Sequence, residues 1–163
     1  MIHSKLLYQK IFNLSTLQKQ VAAWRLKGKT VAFTNGCFDI VHPGHIASLT
    51  DAAKEADYLV VAVNSSASVS RLKGPERPIN TEDSRCTVLA AMAMVDAVVV
   101  FDDDTPLQTI LALRPDVLVK GGDYTIDKIV GAAEVQSWGG KVVINPLVEG
   151  FSTTSIIQKI HSL

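Results

Sequence analysis

The stretch from residue 30 to residue 63, TVAFTNGCFDIVHPGHIASLTDAAKEADYLVVAV, contains one complete strand–loop–helix–strand unit. Thr30–Thr34 is a short run rich in β-branched and aromatic residues, and it predicts a strand. Apolar residues then recur at helical spacing from about Gly44 to Glu55 and predict a helix. Tyr58–Val63 is apolar throughout, as is typical of a parallel strand covered on both faces. The stretch therefore predicts a right-handed βαβ unit.

Further apolar runs repeat this pattern toward the C-terminus. They predict strands at Ala97–Phe101, Val117–Val119 and Lys141–Ile144. The stretches between and after these runs predict helices at about residues 81–94, 105–113, 131–138 and 153–161. Because strands that alternate with helices favour a parallel sheet, we predict an α/β fold. The expected architecture is a Rossmann-like, doubly wound, mostly parallel five-stranded sheet with helices on both faces.

The N-terminal stretch, residues 1–27, predicts a helix of its own. Ser15 and Thr16 are suitable N-caps, and apolar residues follow at helical spacing up to Gly28, a natural stop. A chain of 163 residues has about the size of one domain. We therefore predict a single domain overall, with residues 1–27 as an N-terminal helical extension and residues 28–163 as the part that carries the site.

The composition excludes several classes of protein. The chain is 47% hydrophobic, which is too much for a disordered protein. Its 16 basic and 16 acidic residues give zero formal net charge, which disfavours a sequence-independent nucleic-acid binder. Cys37 and Cys86 lack CxxC spacing and are too few for a disulfide framework. Without a signal-peptide pattern or an apolar run of about 18 residues, we expect a cytoplasmic protein with neither a membrane nor a nucleic-acid partner.

Ligands of doubly wound sheets bind beyond the carboxyl ends of the strands, where the strand order reverses. The first such loop carries the motif Thr34–His45. His42 and His45 lie three residues apart at a helix start and therefore share one side of it. Pro43 and Gly44 place the turn, and the free N–H groups of the first helical turn form an anion site. The two imidazoles could therefore stabilise charge that develops on a phosphate.

Two other interpretations of the histidine pair remain open. The histidines could be core or surface residues beside an ordinary helix cap. They could also bind zinc, although no third cluster of ligands accompanies them. Cys37 lies in the same loop without a general base to activate it, and we interpret it as a packing residue.

Basic and hydroxyl residues in the other loops offer further phosphate contacts. Lys73 and Arg77 lie in a Gly/Pro-bearing loop after the second strand, where they could reach triphosphate oxygens or remain solvated surface charges. Residues 120–123, Lys-Gly-Gly-Asp, follow a strand and could bind a nucleoside or form a plain turn. Residues 152–154, Ser-Thr-Thr, precede the last helix and could hold a phosphate or simply cap the helix.

The motif loop resembles a known signature. It matches G-x-F-D-x-x-H-x-G-H, typical of the cytidylyltransferase-like nucleotidyltransferase superfamily, at Gly36, Phe38, Asp39, His42, Gly44 and His45. Residues 71–78, 119–124 and 150–157 resemble the branch that makes ADP-heptose, and the likeness extends over roughly residues 14–163. Where the wider superfamily often has a basic residue in the last helix, this chain has Ile157.

This resemblance implies an activity. The expected reaction transfers an adenylyl group from ATP to D-glycero-β-D-manno-heptose 1-phosphate, giving ADP-heptose and pyrophosphate for lipopolysaccharide core biosynthesis. The resemblance further implies Mg²⁺ bound with ATP, a homo-oligomer, and a separate sugar kinase that acts upstream. Two alternatives remain open: a glycerol-3-phosphate-type cytidylyltransferase and a catalytically inactive nucleotide-binding module.

The resemblance also assigns roles to residues of this chain. The expected catalytic residues are His42, His45 and Lys73. The expected nucleotide-binding residues are Phe38, Gly44, Lys120, Gly122, Asp123, Ser152, Thr153 and Thr154. The expected substrate-binding residues are Asn35, Asp39 and Arg77. No residue is assigned to a metal, and residues 28–163 are the expected nucleotidyltransferase domain.

Overall fold

The computed structural model describes residues 6–122, 124–146 and 150–163. Within these residues the centre of the fold is one parallel sheet of six strands. The strands are β1 (Ile11–Phe12), β2 (Val31–Gly36), β3 (Tyr58–Asn64), β4 (Ala97–Phe101), β5 (Val117–Gly121) and β6 (Lys141–Asn145). Their spatial order is β1-β4-β3-β2-β5-β6. The chain builds outward from β2 to β4 and then returns to the other side of β2, so the switch point lies between β2 and β5.

The prediction of five strands is wrong by one, because the sequence gives no signal for β1. This strand is two residues long and lies at the sheet edge, where Ile11 pairs with Val98 and Phe12 with Val99. So short a strand has no periodicity to recognise. It forms because β4 offers a free edge, where the N–H of Val98 donates to the carbonyl oxygen of Lys10 at 2.7 Å. The doubly wound, parallel architecture itself is confirmed.

Helices cover both faces of the sheet, as predicted. They are α1 (Leu14–Leu26), α2 (Pro43–Ala53), α3 (Ser66–Lys73), α4 (Glu82–Ala90), α5 (Leu107–Leu113), α6 (Ala132–Ser137) and α7 (Thr153–His161). Buried side chains of α1, α5 and α6 share one cluster with Phe33, and those of α2 and α4 share another with Ala32. Neighbouring strand residues face opposite sides, so the two clusters are the two faces. Among the described residues, no helix combines the length and apolar character needed to cross a membrane.

Helix α1 contributes to the core of the sheet. Leu17, Val21 and Trp24 are buried in the same cluster as residues of the central strands. The N-cap is Asn13, whose side-chain oxygen accepts a hydrogen bond from the N–H of Thr16 at 2.9 Å. The helix therefore begins slightly before the cap residues that the sequence favoured. The division of the chain at residue 27 stays a prediction.

The segment after the second predicted strand, expected to be the loop that carries Lys73 and Arg77, contains helix α3. Ser65 caps this helix, because its hydroxyl oxygen accepts from the N–H of Ser68 at 2.9 Å. The serine-rich composition of α3 conceals its helical pattern, since serine is also typical of turns. Gly74 follows with a φ of 102°, and the helix ends there. Lys73 therefore stands on the last turn of a helix, and the prediction that it lies in a loop is wrong.

Candidate active site

The loop after β2 leads the chain from the sheet into helix α2. Phe38 adopts a left-handed backbone conformation (φ 47°), which is uncommon for a residue other than glycine. His42 is the N-cap of α2, and Pro43 occupies the first helical turn, where its missing N–H costs nothing. The His42 side chain makes no capping hydrogen bond. The N–H groups of His45 and Ile46 donate to the carbonyl oxygen of His42, so the start of α2 offers an anion the Gly44 N–H and the positive end of the helix dipole.

The two histidines of the motif stack on each other. Their ring centroids lie 3.8 Å apart with an interplanar angle of 22°, and Phe38 meets the His45 ring edge-on at 5.3 Å. A Cβ at Gly44 would lie 3.1 Å from the His42 ring, so glycine leaves space for this stack. Within the described part of the chain, the Nδ1 atoms of both histidines are buried without a hydrogen-bond partner. The signature residues thus form one packed unit at the start of α2.

Both imidazoles are neutral near pH 7. Burial lowers the pKa of His45 to about 4, and the neighbouring His42 contributes in the same direction. Burial also lowers the pKa of His42. A neutral imidazole donates one hydrogen bond and carries no charge. The pair is therefore suited to act at neutral pH as hydrogen-bond donors to phosphate oxygens instead of as cations.

A cavity of about 330 Å³ opens beside the histidines, and we call it the helix-end cavity. One part of its wall comes from the start of α2, with His42, Gly44 and His45. Another part comes from the start of α7, with Ser152 and Thr153. Two helix N-termini therefore border one cavity, which is a favourable arrangement for a chain of phosphates.

The hydroxyl residues at the start of α7 have different contacts. The Ser152 hydroxyl oxygen accepts from the N–H of Ser155 at 3.0 Å, so Ser152 is the N-cap of the helix. The Thr153 hydroxyl donates to the carbonyl oxygen of Ile40 at 3.2 Å and ties α7 to the motif loop. Thr154 is exposed and does not line the helix-end cavity. A phosphate contact from these residues stays a prediction.

A second cavity of about 360 Å³ adjoins the first, and we call it the lysine cavity. Its wall includes Lys73, Lys120 and Lys128, together with Asp104 and Tyr124. The two cavities share four lining residues, which are Asn35, Gly36, Cys37 and Lys120. The fold therefore brings Lys73 to the same edge of the sheet as Asn35 and the histidine pair, although Lys73 is distant from them in sequence.

Asp39 and Arg77 contact each other instead of either cavity. The Arg77 Nε donates to the Asp39 carboxylate at 2.6 Å, and the N–H groups of Ile79 and Asn80 donate to it at 2.8 Å. Burial alone would raise the pKa of Asp39, but these N–H groups and Arg77 outweigh it and hold the pKa below its ordinary value. The pair therefore fastens the chain after α3 to the motif loop. Its assignment to substrate binding stays a prediction.

The chain after β5 folds back over Lys120. Gly122 has a φ of 124°, and a Cβ there would lie 2.9 Å from the Tyr124 ring. Only a residue without a side chain fits this close approach. The same ring has its centroid 5.5 Å from the Lys120 Nζ. Asp123, the predicted ribose ligand, lies outside the described residues.

Arg85 of helix α4 supports the site, although sequence reasoning did not single it out. Its side chain is fully buried, with 1% of the residue exposed. The Nη1 atom donates to the carbonyl oxygens of Cys37 at 2.7 Å and Asn64 at 2.8 Å. Arg85 thus joins the motif loop to the end of β3. A helical arginine usually lies on the surface, so only the tertiary contact identifies this role.

The donor groups of the site suit phosphate. Groups of three or more His, Cys, Asp and Glu that could hold a metal ion are absent from residues 6–122, 124–146 and 150–163. The polar side chains that line the two cavities are mainly imidazole, ammonium, hydroxyl and amide groups, and Asp104 is the carboxylate among them. Burial raises the pKa of Cys37, which favours the protonated thiol.

The sheet order, the histidine pair at a helix N-terminus and the two cavities at the switch point define a Rossmann-like α/β protein whose candidate site has donor groups suited to phosphate. A family model described as cytidylyltransferase-like matches residues 33–159. The chain therefore belongs to the cytidylyltransferase-like family, and the resemblance seen in the motif loop is confirmed.

Curated relatives match nearly the whole chain. The bifunctional protein HldE of Paramagnetospirillum magneticum is 58% identical over 152 residues, which are 93% of this chain and 31% of that protein. The bifunctional protein HldE of Caulobacter vibrioides is 52% identical over 153 residues, which are 94% of this chain and 32% of that protein. The chain thus spans about a third of the length of these relatives.

Two solved structures share the fold. The lipopolysaccharide core biosynthesis protein of Thermoplasma volcanium has a TM-score of 0.59 and 29% identity, with 74% of this chain and 98% of that chain covered. The pantoate-beta-alanine ligase of Francisella tularensis has a TM-score of 0.62 and 16% identity, with 94% and 78% covered. The second likeness concerns the fold alone.

Proposed function

We propose that this chain transfers an adenylyl group from ATP to D-glycero-β-D-manno-heptose 1-phosphate and forms ADP-heptose and pyrophosphate for lipopolysaccharide core biosynthesis. The observation that carries the proposal is the stacked, neutral pair of His42 and His45 in the wall of the helix-end cavity. Membership of the cytidylyltransferase-like family and the likeness to the T. volcanium lipopolysaccharide core biosynthesis protein support the class of reaction and of product.

The reaction needs alignment and charge stabilisation more than acid–base chemistry. An oxygen of the sugar 1-phosphate forms a bond to the α-phosphorus of ATP. The bond from that phosphorus to the oxygen bridging to the β-phosphate breaks, and its electron pair leaves with pyrophosphate. The attacking phosphate oxygen is already deprotonated near neutral pH, so no general base is required. The protein contributes in-line placement and donors aimed at the phosphoryl oxygens.

We assign these contributions to the two helix ends and the lysines. His42 and His45 donate hydrogen bonds to the α- and β-phosphates, assisted by the N-terminus of α2. Phe38, Gly44 and the start of α7 complete the nucleotide site, and Lys73 neutralises phosphate charge during transfer. A divalent cation, expected to be Mg²⁺, is held by triphosphate oxygens and water. We further propose a cytoplasmic homo-oligomer supplied with heptose 1-phosphate by a separate sugar kinase.

The test is a pyrophosphate-release assay. ATP and CTP are each offered with D-glycero-β-D-manno-heptose 1-phosphate and with glycerol 3-phosphate. We expect release with ATP and the heptose phosphate, at least about 100-fold faster than with the other three pairs. Preference for CTP with glycerol 3-phosphate would identify a cytidylyltransferase, and no release in any arm, with nucleotide binding retained, would identify a binding module.

A further inference from the structure

One charged side chain lies where the two cavities meet. Four residues line both the helix-end cavity and the lysine cavity. Three of them, Asn35, Gly36 and Cys37, are uncharged at neutral pH, and the fourth is Lys120. A group that bridges the two cavities therefore meets this ammonium.

The sheet fixes the position of Lys120. Strand β5 pairs with β2 through Leu118 and Phe33, and with β6 through Lys120 and Ile144. Lys120 follows Leu118 by two residues, as Asn35 follows Phe33, so both stand at the carboxyl ends of their strands at the switch point. A site residue on a strand is held more firmly than one on a loop.

The surroundings of Lys120 favour an anionic ligand. The side chain is partly buried, and burial lowers its pKa, with Lys73 contributing in the same direction. The Tyr124 ring covers one side of the ammonium at 5.5 Å. A cation deprived of part of its water gains more from a phosphate than an exposed cation does.

Adenylyl transfer brings two anions into contact at one place. With the triphosphate in the helix-end cavity and the sugar phosphate in the lysine cavity, the α-phosphorus and the attacking oxygen meet at the shared residues. Repulsion between the two phosphates is greatest there as the new bond forms. A cation at this point stabilises the transition state more than either bound substrate.

We infer that Lys120 is a catalytic residue that contacts both the α-phosphate of the nucleotide and the phosphate of the acceptor. This inference rests on the proposed adenylyl transfer and goes beyond the nucleotide-binding role expected from the sequence. It predicts that loss of the ammonium lowers kcat much more than it raises KM for either substrate.

The kinetic test compares Lys120→Met, Lys120→Arg and a matched control. Lys120→Met is expected to lower kcat by about 100-fold with either KM changed less than about threefold, and Lys120→Arg to regain part of kcat. The control is Lys141→Met, an exposed lysine at the other end of β6 that pairs with Glu55. A raised ATP KM with normal kcat would reduce Lys120 to a nucleotide ligand and overturn the inference.

A second measurement separates this inference from the proposed function. The lysines are ¹³C-methylated, and the Lys120 resonance is assigned by its absence in Lys120→Arg. We expect it to shift with α,β-methylene-ATP alone and with inorganic phosphate alone, whereas Lys141 does not respond. A shift with only one ligand, or with neither, overturns the inference. If wild-type protein releases no pyrophosphate but its Lys120 resonance shifts with both ligands, the proposed reaction is refuted. The contact of Lys120 with both phosphates is then retained.

Discussion

At the scale of single residues, the site depends on histidines that lack charge. His42 and His45 stack at 3.8 Å, and burial lowers the pKa of both. Two imidazolium ions at this distance would repel each other, so neutrality is what allows the stack. The contact that such a pair offers to a phosphate is a directed hydrogen bond.

Replacement of His45 tests that contact. We expect His45→Ala to lower kcat by about 10²–10³-fold, the effect of removing one transition-state donor. Pyrophosphate release at saturating substrates measures it. The control is His161→Ala, an exposed histidine at the end of α7. More than half of wild-type turnover in His45→Ala would remove His45 from the mechanism.

The lowered histidine pKa also predicts a dependence of stability on pH. The folded pKa of His45 is about 4, below the ordinary value of 6.5, so the unfolded chain binds a proton that the folded chain does not. The contribution of neutral His45 to the free energy of unfolding is fully present above about pH 6.5 and is lost as the pH falls toward 4. We therefore expect wild type to lose more stability than His45→Asn between these values.

Urea unfolding of both proteins at pH 7.5, 5.5 and 4.5 measures this difference. The gap in unfolding free energy between wild type and His45→Asn should change steadily in favour of the variant as the pH falls. If the unfolding free energies of the two proteins change in parallel with pH, His45 has the same pKa in the folded and unfolded states.

At the scale of secondary-structure elements, buried polar side chains fix how the site loops meet. Asp39 accepts three hydrogen bonds from the segment after α3, and Arg85 of α4 donates to the carbonyls of Cys37 and Asn64. Neither Asp39 nor Arg85 lines the helix-end cavity or the lysine cavity. The shape of the candidate site therefore depends on side chains that do not line its cavities.

Removal of Arg85 tests this support. Arg85→Leu leaves the carbonyl oxygens of Cys37 and Asn64 without this donor, at about 1–3 kcal/mol each, so we expect a loss of about 2–6 kcal/mol in unfolding free energy. Arg85→Lys should recover part of it. Lys54→Met, at an exposed lysine that pairs with Asp51, is the control and should change stability by less than about 1 kcal/mol. A stable Arg85→Leu protein in urea unfolding would contradict the assignment.

At the scale of the whole molecule, the N-terminal segment completes the sheet and its cover. Strand β1 pairs with β4 and adds one strand at the edge of the sheet. Helix α1 places Leu17, Val21 and Trp24 in the core. Full burial of such side chains contributes about 1.5–3 kcal/mol each. Their sum is comparable with the total stability of an ordinary domain, about 5–15 kcal/mol.

Deletion of residues 1–27 tests the proposed division of the chain. We expect residues 28–163 alone to give no cooperative thermal transition, because one face of the sheet loses the part of its cover that α1 provides. Circular dichroism melting measures it, with Leu26→Ala as a control, since Leu26 is 89% exposed. A cooperative transition within about 10 °C of the full chain would show that residues 28–163 fold independently.

The sequence by itself determined the class of fold and the location of the site. Continuous apolar strands such as Tyr58–Val63 can only be covered on both faces, and this condition imposes parallel strands with crossover helices. The local geometry of the motif loop was also predictable, because it depends on residues that are close in sequence. These are Pro43 and Gly44 at a helix start and two histidines three residues apart. Local signals of this kind can be recognised without knowledge of the tertiary structure.

Only the tertiary structure decided which distant residues share the site. Strand β1 exists because β4 has an open edge, and helix α3 exists because Ser65 caps a segment whose composition resembles a turn. The strand order places the ends of β2, β3 and β5 together. Arg85 therefore points inward to the loops at these ends, and Lys120 lies where the helix-end cavity and the lysine cavity meet. Such contacts join residues that are far apart in the chain, and no periodicity or motif records them.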